Sequence, residues 1–288
     1  MKRRDLIKAV MSVVALHAVA KPTLLAAAPQ PSLMPVLFIG HGSPMNAVQD
    51  NPFTRHLTQL GQTLPTPRAI LVVSAHWVDK APTLSAVSKP ETIYDFGGFP
   101  QALYDIRYPC DGHPELATQI ANTLSQYQAD VNPTRGLDHG AWTVLHHLYP
   151  NAEIPVIQLA MGAGMYMHEH LELASALQQL RREGVLILAS GNIVHNLRQT
   201  DRSDNPVTPS WAEDFDALIK EGLLDRNIPE LLARDKTKHS LWGKSHPTIE
   251  HYVPLLYALG ASTESDTIQF PHEGFQAGSI SMRSVLFG

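Results

Sequence analysis

The stretch Val185-Leu-Ile-Leu-Ala-Ser190-Gly-Asn-Ile-Val-His195-Asn196 decides the fold. Its opening residues are apolar without alternation, the pattern of a strand buried on both faces of a sheet. Small residues then turn the chain, and a histidine follows. The same layout recurs in Val36-Leu-Phe-Ile-Gly40-His41-Gly42-Ser43-Pro44 and in Ile70-Leu-Val-Val-Ser-Ala-His76-Trp77. In an open α/β sheet, ligands bind beyond the carboxyl ends of the strands. Three such strands would carry His41, His76 and His195 to one edge. Neutral imidazole is a common ligand of zinc and non-haem iron, so this placement makes a metal site without any short-range spacing motif.

Outward from these strands, apolar runs at 35–40, 69–75, 84–87, 154–160 and 185–190 alternate with helical patterns at 52–64, 115–127 and 168–182. That alternation predicts an α/β fold: a single domain with a mostly parallel central sheet covered by helices on both faces. Residues 210–220 read as a helix with Ser210 near its start. Another starts at Pro247 or Thr248, is interrupted by Pro254, and stops at Gly260. Segments 267–270 and 278–286 read as two final strands. No repeat or low-complexity linker divides residues 29–288, which read as one domain. Segment 92–108 is rich in aromatics, Gly and Pro, the composition of a long loop that shapes a binding site.

Hydrophobic residues make up 44% of the 288-residue chain and charged residues 17%, enough for a well-filled core. A formal charge of -5 argues against a nucleic-acid partner. The single cysteine, Cys110, excludes an intramolecular disulfide and any Cys-rich zinc motif, and it lacks a basic context that would activate its thiol. Residues 1–28 read as an export signal: a charged start, a short apolar centre and small residues before Pro29. Arg3-Arg4 followed by Leu6, Ile7 and Lys8 resembles the twin-arginine type. The apolar run is short for a membrane span. The expectation is a periplasmic protein, passed through the twin-arginine export machinery, with no stable membrane insertion after cleavage. Cleavage would remove five Lys/Arg and one Asp, leaving a more acidic remainder.

Fifteen histidines is a high count for this length, and most have ordinary readings. His41 lies between two glycines, which permit a sharp turn and close ligand approach. Trp77, beside His76, reads either as a wall against a planar substrate or as packing under the sheet. His139 follows Asp138, a candidate helix cap. Glu250 and His251 are neighbours on a helical pattern; directions about 100° apart keep both from facing one site. His146 and His147 sit mid-helix without a clear partner, His168 and His170 open a helix, and His113, His246 and His272 border loops. No Gly-x-Ser-x-Gly elbow, Walker loop, dinucleotide fingerprint or His-Glu-x-x-His is present.

Six ordered motifs are specific together: Gly40-His-Gly-Ser-Pro-Met-Asn46, Ser74-Ala-His-Trp77, Asp95-Phe-Gly-Gly-Phe-Pro-Gln-Ala-Leu-Tyr104, Leu137-Asp-His-Gly-Ala-Trp142, Ala189-Ser-Gly-Asn-Ile-Val-His-Asn-Leu197 and His251-Tyr-Val-Pro-Leu-Leu256. From about Met34 to Gly288 the chain resembles the DOPA 4,5-dioxygenase family, the class III extradiol ring-cleaving dioxygenases of LigB type. The resemblance implies metal ligation by His41, His76 and His251, with His195 ligating or adjacent. It also implies acid–base help from His195 and His139. Classical extradiol members use two histidines and one carboxylate; His251 stands where that carboxylate is expected, and Glu250 is next to it, so the resemblance leaves the third ligand open. One Fe(II) or Zn(II) per chain is implied, with O2 and a small aromatic diol such as DOPA as substrates. The ring would open beside its two hydroxyls. By composition alone, Trp77, Tyr94, Phe96 and Phe99 are candidates to flank that ring, and Arg107 and Arg198 to meet a substrate carboxylate. Two rival readings use the same site: a periplasmic zinc-binding protein without dioxygenase activity, and a zinc-dependent hydrolase.

Overall fold

Residues 33–232 and 240–288 are described by a computed structural model. The strands are β1 (Val36–Gly40), β2 (Ala69–Asp79), β3 (Thr83–Ser85), β4 (Asp130–Asn132), β5 (Val156–Gly162), β6 (Val185–Gly191), β7 (Ile268–His272), β8 (Phe275–Gln276), β9 (Ile280–Ser281) and β10 (Ser284–Phe287). The helices are α1 (Pro52–Thr63), α2 (Gln101–Tyr104), α3 (Pro114–Thr123), α4 (His139–Leu148), α5 (Met167–Ser175), α6 (Gln178–Arg182), α7 (Ser210–Leu224), α8 (Ile228–Leu231), α9 (Ser240–Ser245) and α10 (Val253–Ala261).

Among the described residues, eight strands make one sheet in the order β4-β3-β5-β2-β6-β1-β10-β7. The central strands β5, β2, β6 and β1 are parallel, while β10 and β7 add an antiparallel margin. The unbroken apolar runs explain this arrangement, because side chains alternate across a strand and each face of the sheet needs its own cover. Phe38, Leu71, Val73, Ile187 and Ala189 join one core cluster with α3, α5, α7 and α10. Leu37, Ile39, Ile70, Val72, Leu186 and Leu188 join the other, under α1 and α4. Each of these larger aliphatic side chains contributes about 1.5–3 kcal/mol on burial. Helix α10 is buried along its whole length, as expected of a helix apolar on every side. The mostly parallel sheet with helices on both faces is therefore the architecture.

Several boundaries differ from the sequence reading. Helix α10 starts at Val253, so Pro254 lies in its first turn, where no intrahelical N–H is required, and interrupts nothing. The pattern over 168–182 is split into α5 and α6, and that over 115–127 ends its α-helix at Thr123. The tail holds four short strands, not two, because a β8–β9 hairpin leaves the main sheet. Strand β4 has no apolar run to announce it. Among the described residues no helix is long and apolar enough to cross a membrane. The leader read at 1–28 lies outside the described residues.

Candidate active site

Because β1, β2 and β6 run parallel, their carboxyl ends share one edge. His41 directly follows β1, and its backbone N–H donates to Gly191 O at the end of β6, 3.0 Å away. His76 stays inside β2, where the register against β5 shifts between Val73 and Val78; such a bulge re-aims side chains. His195 lies beyond β6, its N–H donating to Ser245 O at 2.9 Å. His251 arrives from the turn before α10, its carbonyl accepting from Asn192 N at 2.8 Å. Gly191 makes this approach feasible, since a Cβ there would collide with the His251 carbonyl.

One nitrogen each from His41, His76 and His251 lies within 4.8 Å of the others. The Nε2 atoms of His41 and His76 are 3.2 Å apart. Behind each ring stands an acceptor. Ser190 Oγ, which donates to Gly140 O at 2.6 Å, is left to accept from His41 Nδ1 at 2.9 Å. Asp95 Oδ2 lies 3.3 Å from His76 Nδ1, and Glu250 Oε1 lies 3.4 Å from His251 Nδ1. Acceptors at Nδ1 leave the Nε2 lone pair as the one that could meet a cation. Burial, then the neighbouring imidazoles, hold His41 and His251 well below the usual histidine range. Burial and His139, against the pull of Asp95, bring His76 down to about 3. Neutral imidazoles with converging lone pairs fit one divalent cation. Glu250 stands behind His251, outside the group that converges with His41 and His76.

A second group joins His76, Asp95 and His139. Asp95 Oδ1 accepts from the His139 backbone N–H at 2.9 Å and lies 3.0 Å from its Nδ1, too bent for a second aligned bond. Burial would raise the Asp95 carboxyl, but hydrogen bonding and charge interaction with His139, helped by His76, bring it down to about 2. Asp138 caps α4 as the sequence predicts, accepting from Ala141 N. The His195 ring stacks on His251 and belongs to neither group. Burial, with His139 assisting and Glu250 opposing, brings His195 down to about 4.

All five histidines line one cavity of about 940 Å³. Phe96 and Phe99 line it too, with ring centroids 5.3 Å apart, and Phe96 lies edge-on to His139. Trp77 and Tyr94 fall outside this lining. Alternation along β2 sends Trp77 to the face opposite His76, where the Arg135 guanidinium covers it at 5.0 Å. Tyr94 packs on Trp142 and donates its hydroxyl to Ile106 O. Arg107 covers Tyr94 and donates to Tyr104 O, and neither it nor Arg198 lines the cavity. His147 has a partner after all, donating to Asn46 O at 2.8 Å. Asp95, Ser190 and Arg202 are among the lining or supporting residues that escaped the sequence reading. A serine inside an otherwise apolar buried strand was the readable signal for Ser190; Arg202 had none.

Residues 35–288 match the family described as the catalytic LigB subunit of aromatic ring-opening dioxygenase. A protein named 4,5-DOPA dioxygenase extradiol from Escherichia coli (strain K12) is 43% identical over 257 residues, 88% of this chain and 95% of that one. Its namesake from Beta vulgaris is 38% identical, covering 87% of this chain and 95% of its own. A solved structure of an uncharacterized Escherichia coli K12 protein aligns with a TM-score of 0.77 at 38% identity, over 88% of this chain and all (100%) of that one. With the strand-end histidines gathered over an aromatic-lined cavity and this likeness spanning nearly all the described residues, the chain belongs to the LigB family of aromatic ring-opening dioxygenases and is an extradiol dioxygenase.

Proposed function

We propose that the substrate is a catechol such as DOPA and that one Fe(II), held by Nε2 of His41, His76 and His251, serves the reaction. The observation that carries this reading is the convergence of these three imidazoles beside two further histidines in one cavity. When bound, iron supplies Lewis acidity toward the catechol oxygens and a redox route to O2 that zinc in the same nitrogens would lack.

The protein residues do the rest. His195, neutral and free of the ligand group, takes the proton from a catechol hydroxyl as base and returns it as the ring opens. His139, fastened to Asp95, orients the substrate or O2. Phe96 and Phe99 flank the ring and exclude water from that side. The leader read at 1–28 supports export to the periplasm after folding, which suits a protein that takes up its metal beforehand.

The test is anaerobic loading with Fe(II), followed by DOPA, catechol or protocatechuate with O2. The expected result is a yellow ring-cleavage product with matching oxygen uptake, lost in His195→Ala. Tight zinc binding with no oxygen uptake on any catechol overturns the proposal.

A further inference from the structure

The cavity is larger than a bare catechol needs; about 940 Å³ lies in the range of sites for drug-sized ligands. Among the described residues that line it, Arg202 alone carries a permanent positive charge. Most arginines near the core or the loop are engaged elsewhere: Arg135 over Trp77, Arg107 over Tyr94, Arg181 with Asp266 and Arg283 with Asp216. The exposed Arg202 guanidinium has no hydrogen bond, ion pair or ring contact with any described residue.

The backbone beneath it is held. The Asp201 N–H donates to Ala277 O at 2.9 Å, and the Asp201 carboxylate accepts from Ser203 N and Val207 N, each at 2.9 Å. Ala277 belongs to the β8–β9 hairpin, which also lends Gln276 and Ile280 to the cavity. A fixed base thus carries, at the solvent side of the site, a cation that no described residue pairs. Among the described lining residues the one carboxylate, Asp95, is taken up by His76 and His139, so this lining offers an ammonium group no free anion.

We propose that Arg202 is the specificity residue of this site: it pairs with a carboxylate on the substituent of the catechol and selects acidic catechols over cationic ones. The proposal rests on the catechol reading above. A guanidinium presents a planar fork that matches a carboxylate, and exposure makes the contact sensitive to salt.

The experiment compares kcat/KM for 3,4-dihydroxyphenylacetate and for dopamine, in wild-type protein and in the Arg202→Gln, Arg202→Glu and Arg198→Glu variants. The acid-to-amine ratio is expected to fall about 10-fold or more in Arg202→Glu and less in Arg202→Gln, in line with a charged hydrogen bond. Arg198→Glu makes the same charge change outside the cavity and should move the ratio little; the wild-type preference should weaken as salt rises. A ratio unmoved in both Arg202 variants, or moved equally by Arg198→Glu, overturns the proposal. Calorimetric binding of both compounds runs in parallel. If wild-type protein opens no catechol ring, the catechol reading fails, yet weaker binding of the acid to Arg202→Glu still supports the Arg202 assignment. Equal binding to wild type and variant, or no binding to either, refutes it.

Discussion

The His195 imidazole lies flat on that of His251, centroids 3.5 Å apart and planes 3° from parallel. Stacked in this way, His195 sits beside the His41–His76–His251 group without joining it. The proton-transfer role proposed for it is therefore separable from metal binding. His195→Ala is expected to keep its metal and lose about 10²–10⁴-fold in turnover. Metal content and oxygen uptake measured on the same sample check this; loss of the metal together with activity would make His195 a ligand.

Asp95 spans two histidines, with Oδ2 toward His76 and Oδ1 on His139. Asp95→Asn keeps the shape but removes the negative charge that steadies both. Metal affinity should fall about 10–100-fold, as for other partners of ligating histidines, and kcat should fall with it. Competition against a chelator measures the first. Unchanged affinity would confine Asp95 to fastening the aromatic loop.

Ser190→Ala removes the acceptor behind His41 and the donor to Gly140 O. Both partners are buried, so a stability loss of about 1–3 kcal/mol is expected, alongside weaker metal binding. Urea unfolding and metal titration separate the two effects. A variant as stable and as tightly loaded as wild type would rule out this relay.

Gly191→Ala tests the close approach of β6 to the turn before α10. The new methyl would collide with the His251 carbonyl, a backbone atom that cannot swing aside. The expected outcome is loss of metal binding together with a lowered melting temperature. A variant with wild-type metal affinity would show that His251 can be placed without this contact.

His170 is buried on α5 with Nδ1 3.1 Å from the Tyr257 hydroxyl, and burial, opposed by Glu169, brings it down to about 4. In the unfolded chain it titrates near 6.5. Between those values the unfolded state takes up a proton that the native state refuses. Its stability contribution is thus fully present above about pH 6.5 and is lost as pH falls toward 4. The loss should reach about 2 kcal/mol by pH 5. His170→Gln removes the titration, so unfolding free energies at pH 7 and pH 5 should differ less in the variant; equal differences would sink the assignment.

The fold was readable because its signal is local. Unbroken apolar runs such as 185–190 need cover on both faces, and small residues before His41 and His195 mark strand ends. Boundaries were less readable where one residue admits two roles: Pro254 ends a helix or opens one, and only its neighbours decide. The aromatic candidates divided likewise. Phe96 and Phe99 reach the cavity, whereas Trp77 is carried to the other side by strand alternation, a direction set by the pairing register.

By itself the sequence determined the α/β class, the strand-end histidines and the capped start of α4, since these follow from periodicity and local backbone chemistry. Tertiary structure alone decided which histidines converge, that Glu250 stands behind His251, and that Ser190, Asp95 and Arg202 belong to the site. Convergence is a property of strand order: β6, far along the chain from β1 and β2, lies between them in the sheet, and no residue pattern along one strand records its neighbour.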